Sequence, residues 1–166
     1  MTRRTTLIVA SLAASLIGLS SLLGSADILI WNRTASAPIG LYWKSDDPLT
    51  LNGWAVVSAE SSAAIWASEH GFAGTDWPLI KRVRGLSRDT VCRDGSRILI
   101  NGAEAAQALE RDEAGRNLPR WQGCRTLGAH EVFLLNDDPR SLDGRYFGVT
   151  NLNDITGSAT LLWAWR

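Results

Sequence analysis

An uncharged, strongly apolar stretch near the N-terminus limits how this chain can fold. It runs from Thr5 to Ala26, and residues 7–23 are almost entirely Leu, Ile, Val, Ala, Ser and Gly. A helix needs about 20 apolar residues to cross a bilayer, and this stretch lacks the polar stripe of a helix that packs on a soluble core. Arg3 and Arg4 precede it and favour a cytoplasmic N-terminus. We therefore expect a single-pass protein of the inner membrane, held there by residues 7–23.

A cleavable signal peptide is the alternative interpretation of the same stretch. Residues 24–26, Gly-Ser-Ala, have the small-x-small pattern of a cleavage site. The apolar run is longer than the roughly 7–15 residues that are typical of a signal peptide, which favours a retained anchor. In both cases residues 1–26 form the anchor or signal segment, and residues 27–166 form one domain exported to the periplasm.

The composition fits one folded domain and argues against several kinds of partner. Of 166 residues, 45% are hydrophobic and 20% are charged, which is enough to build a core. The 17 basic side chains balance 17 acidic ones, so we expect no nucleic-acid partner. Phosphate-binding loops and dinucleotide fingerprints are absent, and the few His and Cys lack ligand spacing. We therefore expect no cofactor and no metal.

Frequent turn signals and short strand-like runs predict a mostly β fold built of curled antiparallel sheets. The Asn101-Gly102 dipeptide is the clearest hairpin signal. Two segments of helical composition, Ser62–Ser68 and Ala103–Arg111, predict short helices, and residues 112–123 predict an exposed insertion. The predicted strands are Trp54–Ser58, Leu79–Arg84, Thr90–Cys92, Arg97–Ile100, Glu131–Leu135, Tyr146–Val149 and Ser158–Trp163.

The chain contains two cysteines, Cys92 and Cys124. In an oxidising compartment an even number of cysteines is expected to pair. A disulfide closing a loop of about 33 residues would contribute on the order of 3–4 kcal/mol of stability by restricting the unfolded chain. Two buried thiols are the alternative, and a metal site would need further ligands at suitable spacing.

Ser36 lies in a turn-forming segment between the apolar stretch and the first predicted strand. Pro38 stiffens the chain just beyond it, and Gly40 permits a close backbone approach. A serine on such a turn can present its hydroxyl as a nucleophile and its own N–H to a developing oxyanion. A serine in an ordinary surface turn would look the same, so this signal is weak by itself.

Lys81 is one of two lysines in the chain, the other being Lys44. Strand alternation places Lys81 on one face with Leu79 and Val83, opposite the face that carries the arginines. An amine desolvated among aliphatic side chains has a lowered pKa and can act as the general base for a serine. An edge-strand lysine that extends its amine into water remains the alternative.

Together these segments resemble the TraF-type peptidases, the conjugative-transfer branch of the type I signal peptidase superfamily. The resemblance extends over nearly the whole chain, but Pro38 is closer to Ser36 than in the common type I pattern, and Arg88 stands where glycine is usual. The matching segments are Asn-x-Thr-x-Ser-x-Pro-x-Gly-Leu-Tyr at 32–42, Leu-Ile-Lys-Arg-Val at 79–83 followed by Gly85 and Asp89, Ile-Asn-Gly at 100–102, and Ser-Leu-Asp-Gly-Arg-Tyr-Phe-Gly at 141–148.

The resemblance implies a role for each of several residues. Ser36 would be the nucleophile and Lys81 the general base of a catalytic dyad. Thr34 would complete the oxyanion hole, and Ser141 would orient the lysine amine. Asp143 and Arg145 would form an ion pair beside the site, and Asp143 is also a second-tier catalytic candidate in this branch.

The resemblance further implies the activity of the protein and its substrate. We expect a membrane-anchored serine endopeptidase that cleaves an exported precursor after small residues as the precursor emerges from the membrane. In this branch the precursor is a conjugative pilin subunit, and its maturation can end in head-to-tail cyclisation. The alternatives are a catalytically inactive exported scaffold of a conjugation or secretion apparatus, and a general leader peptidase. A self-cleaving repressor-type regulator is disfavoured because it would need a basic DNA-binding module.

Overall fold

The computed structural model describes residues 28–165 and, N-terminal to them, residues 5, 8, 9, 11, 12 and 15. The anchor or signal segment predicted for residues 1–26 lies largely outside these residues. Within the described part of the chain, no helix has the length and apolar character that crossing a bilayer requires.

Residues 28–165 form two antiparallel sheets and short helices. The larger sheet has the strand order β1-β2-β11-β3-β4-β9-β10, and the smaller one has the order β7-β6-β5-β8. The α-helices of this part are α1 (Ser62–Glu69) and α2 (Gly144–Phe147), and Leu152–Asp154 form one turn of 3-10 helix. The strands are β1 (Leu29–Asn32), β2 (Gly40–Ser45), β3 (Trp54–Val57), β4 (Leu79–Gly85), β5 (Thr90–Asp94), β6 (Arg97–Ile100), β7 (Ala103–Gln107), β8 (Gly123–Thr126), β9 (Glu131–Leu134), β10 (Thr150–Asn151) and β11 (Ile155–Ala164).

Strand β4 is covered on both faces, which makes it the central element of the larger sheet. Ile80 packs with Tyr42 and Val56 on one side, while Val83 packs with Ala55 on the other. The predicted alternation places Lys81 and Val83 on one face, and both are buried. Ile80 is buried as well, although the alternation groups it with the arginines, because its face is covered by side chains of β2 and β3 at that point.

The smaller sheet carries the disulfide and the predicted hairpin. Cys92 and Cys124 face each other across β5 and β8 and form a disulfide, as predicted. The turn between β6 and β7 is formed by Asn101 and Gly102, which both have positive φ angles of 51° and 81°. This is the conformation that two-residue hairpins require, and the hairpin prediction is confirmed.

Two predictions of secondary structure are wrong. The segment Ala103–Arg111, expected to be helical, begins with strand β7, which pairs with β6 through the Asn-Gly turn. Pairing with a neighbouring strand overrides the helical preference of its alanines. The segment Tyr146–Val149, expected to be a strand, instead begins within helix α2, whose first turn is capped by the side chain of Asp143.

The predicted helix at Ser62–Ser68 is confirmed as α1, which begins after Ser61. The Ser61 side chain accepts a hydrogen bond from the N–H of Ala64 and so caps the helix. Besides β7, four strands were not predicted, namely β1, β2, β8 and β10. Strand β2 was overlooked because Gly40 marks its start as a turn, although Gly40 lies against the backbone of Trp163 and has no room for a side chain.

Candidate active site

Ser36 lies on the tight turn that joins β1 to β2, and it is half-buried. The side chain of Asn32 holds this turn together from inside. Its amide nitrogen donates hydrogen bonds to the carbonyl oxygens of Thr34 (2.9 Å), Ala37 (3.0 Å) and Pro38 (3.0 Å). Its oxygen accepts bonds from the N–H of Thr34 (3.2 Å) and from the Thr34 hydroxyl (3.0 Å). The backbone around Ser36 is therefore fixed by a single buried amide.

Thr34 is the predicted neighbour that the structure brings to Ser36. The two hydroxyl oxygens are 3.5 Å apart, at the limit of a hydrogen bond. The two hydroxyls therefore lie together at one side of the turn. An oxyanion that formed beside Ser36 would have the Thr34 hydroxyl within reach as a donor, once its hydrogen turns from the Asn32 oxygen to the oxyanion.

Lys81 lies in the middle of β4 with only 5% of its surface exposed. Its amine donates a hydrogen bond of 3.1 Å to the hydroxyl of Ser141. Burial lowers the pKa of Lys81 to about 8; the carboxylates of Asp143 and Asp138 oppose this change, and the Arg145 guanidinium reinforces it. A lysine in this state loses its proton far more readily than one in water.

Asp143 and Arg145 form the predicted ion pair, and it is buried. The guanidinium donates to the carboxylate over 2.7 Å. The side chain of Asp143 is 0% exposed and that of Arg145 is 3% exposed. The backbone N–H groups of Arg145 and Asn136 also donate to the Asp143 carboxylate. Burial raises the pKa of Asp143, while Arg145, Lys81 and the two N–H groups counteract this rise.

Ser36, Thr34, Lys81 and Ser141 all line one cavity of about 730 Å³. Apolar side chains form much of its wall, including those of Phe72, Trp77, Leu79, Leu118, Leu142 and Tyr146. Asp143 and Arg145 do not line the cavity, although their charges act on the amine of Lys81.

The structure places the predicted nucleophile, Ser36, and the predicted base, Lys81, in one cavity without a direct hydrogen bond. Among the hydrogen bonds of the described residues, the amine of Lys81 bonds to Ser141, and none connects it to Ser36. The serine and the lysine share the cavity without a hydrogen bond between them. Catalytic hydrogen bonds are often long or absent before a substrate is bound and tighten in the complex.

Asn32 is a residue of the site that the sequence analysis did not single out. It begins the segment that resembles a nucleophile box, and asparagine side chains commonly bond to backbone groups two residues further on. This preference could have predicted the bonds of Asn32 to Thr34. The remaining bonds of Asn32, to Ala37 and Pro38, depend on how the turn folds back.

Comparison with known proteins identifies the class. The family model described as "Signal peptidase, peptidase S26" matches residues 1–165, so the chain belongs to this signal peptidase family. It is a TraF-type member of the signal peptidase superfamily, as the sequence predicted. Two proteins from Escherichia coli, both named plasmid transfer protein TraF, are similar to it. One is 35% identical over 136 residues, covering 75% of this chain and 76% of the relative. The other is 32% identical over 160 residues, covering 89% of this chain and 88% of the relative.

A solved structure also resembles this chain. It is a crystal structure of a signal peptidase I from Enterococcus faecalis, which is 20% identical and has a TM-score of 0.42. The match covers 70% of this chain and 100% of that one. The membership of the family rests on the family model and on the TraF relatives.

Proposed function

We propose that this protein is a membrane-anchored serine endopeptidase in which Ser36 is the nucleophile and Lys81 the general base. The observation that carries this proposal is the buried amine of Lys81, with its lowered pKa, on the wall of the same cavity that Ser36 lines. A neutral lysine is a competent base for a serine hydroxyl. Membership of the signal peptidase family supports the assignment.

The proposed reaction begins when substrate fills the cavity and excludes water. The Lys81 amine moves from its contact with Ser141 into reach of Ser36 and takes the hydroxyl proton as the oxygen attacks the scissile carbonyl. The N–H of Ser36 and the hydroxyl of Thr34 stabilise the resulting oxyanion. The protonated lysine then gives its proton to the leaving amine, and an acyl-enzyme on Ser36 remains.

The proposed substrate is an exported precursor that is cleaved after small residues. The TraF names of the two relatives favour a precursor used in plasmid transfer, and we propose a pilin-like subunit. The acyl-enzyme can be resolved by water, which gives hydrolysis, or by the substrate's own amine, which gives a cyclic product. Both outcomes use the same dyad.

The proposed location is the periplasmic face of the inner membrane, with residues 1–26 as the anchor and residues 27–166 as the periplasmic domain. Support comes from one face of the β1-β2-β11 sheet, which we call the tryptophan face, formed by Leu29, Trp31, Leu41, Trp43, Trp163 and Trp165. Leu29 pairs with Trp43, and Trp31 and Trp163 both pair with Leu41, so these side chains share a face. The Trp165 ring adjoins it, with its centroid 5.1 Å from that of Trp163. The four tryptophans are 44–60% exposed. Exposed tryptophans are typical of the membrane–water interface, and this face begins just after the apolar stretch of the sequence.

The test is processing of the precursor in membranes that contain the full chain. Ser36→Ala and Lys81→Ala should each abolish processing, whereas Lys44→Ala should retain it, because Lys44 lies on β2 away from the cavity. If both dyad variants still process the precursor, the peptidase assignment fails. An inactive wild-type protein that is still required for assembly of the apparatus would instead indicate a scaffold.

A further inference from the structure

Strand β4 loses its neighbouring strand beside Lys81. Strand β9 ends at Leu134, and the last backbone bond on this side runs from the N–H of Leu135 to the carbonyl of Arg82 (2.9 Å). The chain then leaves the sheet to form the loop that carries Ser141 and Asp143. The backbone groups that β4 presents on this side, next to Lys81, need another partner.

The side chain of Asn136 supplies that partner. Its oxygen accepts a hydrogen bond from the N–H of Arg82 (2.7 Å), and its amide nitrogen donates to the carbonyl of Ile80 (3.2 Å). One amide therefore holds the residues on both sides of Lys81, in the way that a paired strand would. On the opposite edge of β4, Lys81 is in register with Ala55 of β3.

The backbone of Asn136 is bonded to the buried ion pair at the same time. Its N–H donates to the Asp143 carboxylate (2.9 Å), and its carbonyl accepts from the Arg145 guanidinium (2.7 Å). Asn136 itself is 1% exposed. It thus connects the strand that carries the amine to the charged groups that face the amine.

We propose that Asn136 is a positioning residue for the Ser36–Lys81 reaction, and that it fixes the Lys81 amine relative to Ser141 and the Asp143–Arg145 pair. This inference rests on the proposed function of the dyad. Asn136 does not line the cavity that contains Ser36, so it acts through Lys81 and not on the substrate.

The experiment measures acylation of the full chain in detergent by a penem, a reagent that acylates serine nucleophiles, as a function of pH. At the high-pH plateau, where Lys81 is neutral, Asn136→Ala should lower the acylation rate constant at least about tenfold, because small misplacements of reacting groups carry large rate penalties. Binding of the penem before reaction should be unchanged. The matched control is Asn101→Gly, which removes an asparagine side chain that bonds to Thr90 of β5 and to Asp89 just before that strand. Glycine tolerates the positive φ of this position.

A second variant covers the case in which Asn136→Ala does not fold. Asn136→Asp keeps the oxygen that accepts from the N–H of Arg82 and loses the N–H that donates to the carbonyl of Ile80. It also adds a negative charge near Lys81. The charged groups that already act on the Lys81 amine are Asp143, Arg145 and Asp138. The plateau rate of Asn136→Asp should fall, and the pH at which acylation is half-maximal should rise, because a carboxylate stabilises the protonated amine.

The outcomes separate the two proposals. A folded Asn136→Ala variant with a plateau rate like the wild type, or an Asn136→Asp variant with an unchanged rate and pH profile, would overturn the role of Asn136 alone. Absence of acylation at Ser36 in the wild-type protein would instead overturn the proposed function on which this role depends.

Discussion

The amine of Lys81 combines two opposing influences at the scale of one residue. Burial disfavours its charge, while Asp143 favours it, and the result is a pKa of about 8. A lysine in water has a pKa of about 10.4 and would be almost entirely protonated at neutral pH. The protein therefore holds an amine that becomes a base within the range of pH where proteins remain folded.

This lowered pKa predicts the pH dependence of the reaction. Only the neutral amine can accept a proton, so cleavage of purified precursor should rise with pH and reach half of its maximum near pH 8, the pKa of Lys81. The measurement is kcat/KM across the pH range. A rate that is flat from pH 6 to about pH 9 would show that no group with such a pKa acts as the base.

Thr34 gives a second prediction at this scale. Removing one oxyanion donor typically lowers kcat about 10²–10³-fold, so Thr34→Val should slow cleavage by an amount of this order. Thr34→Ser is the matched control, because it keeps a hydroxyl 3.5 Å from Ser36 if the turn is unchanged. Equal rates for Thr34→Val and the wild type would remove Thr34 from the oxyanion hole.

At the scale of elements, the loop 135–143 joins β9 to α2, and together with the start of α2 it brings Ser141, Asp143 and Arg145 to β4. Its conformation depends on a buried ion pair that is bonded to several backbone groups. Breaking one partner of such a pair leaves a buried charge without its counterion. The loop thus couples the stability of the domain to the geometry around Lys81.

Asp143→Ala should therefore lower the free energy of unfolding by about 3–5 kcal/mol, the range for a buried pair broken on one side. Denaturant unfolding of the full chain in detergent measures this change. Asp94→Ala is the control, because its ion pair with Arg97 is exposed and such pairs contribute little. Equal losses for the two variants would contradict a special role for the buried pair.

The sequence predicts an element correctly when neighbouring residues determine its structure, and it fails when contacts between distant residues do. The Asn101-Gly102 hairpin follows from neighbouring residues and was predicted. Strand alternation placed Lys81 on an apolar face but left an exposed edge-strand lysine open, and its burial depends on distant residues such as Ala55 and Ser141. Strand β7 and helix α2 were not predicted, because pairing with β6 and capping by Asp143 override the local preferences. The bonds of Asn136 to β4 join residues far apart in sequence, so no local pattern could reveal them.

At the scale of the molecule, two features define where the protein would work. The cavity is lined by residues of β1, of the β1–β2 turn that carries Ser36, and of β4. The tryptophan face lies on β1, β2 and β11, beside that turn. If this face rests on the bilayer, Ser36 meets a substrate where the substrate leaves the membrane.

Replacing Trp163 and Trp165 together by serine tests this arrangement. Processing of the precursor in membranes should fall severalfold, because the domain loses apolar area at the interface, while penem acylation in detergent should be unchanged. Leu51→Ser removes an exposed apolar side chain from the turn before β3 and serves as the control. Equal losses in membranes and in detergent would indicate damage to the fold instead of lost membrane contact.

The central claim is that the lysine at 81 activates the serine at 36, and peptide mapping of the penem adduct by mass spectrometry tests it most directly. We predict one adduct on Ser36 in the wild-type chain, none in Ser36→Ala, and a labelling rate about 10²–10⁴-fold lower in Lys81→Ala, the usual contribution of a general base. An adduct at another residue, or labelling of Lys81→Ala at the wild-type rate, would contradict the dyad.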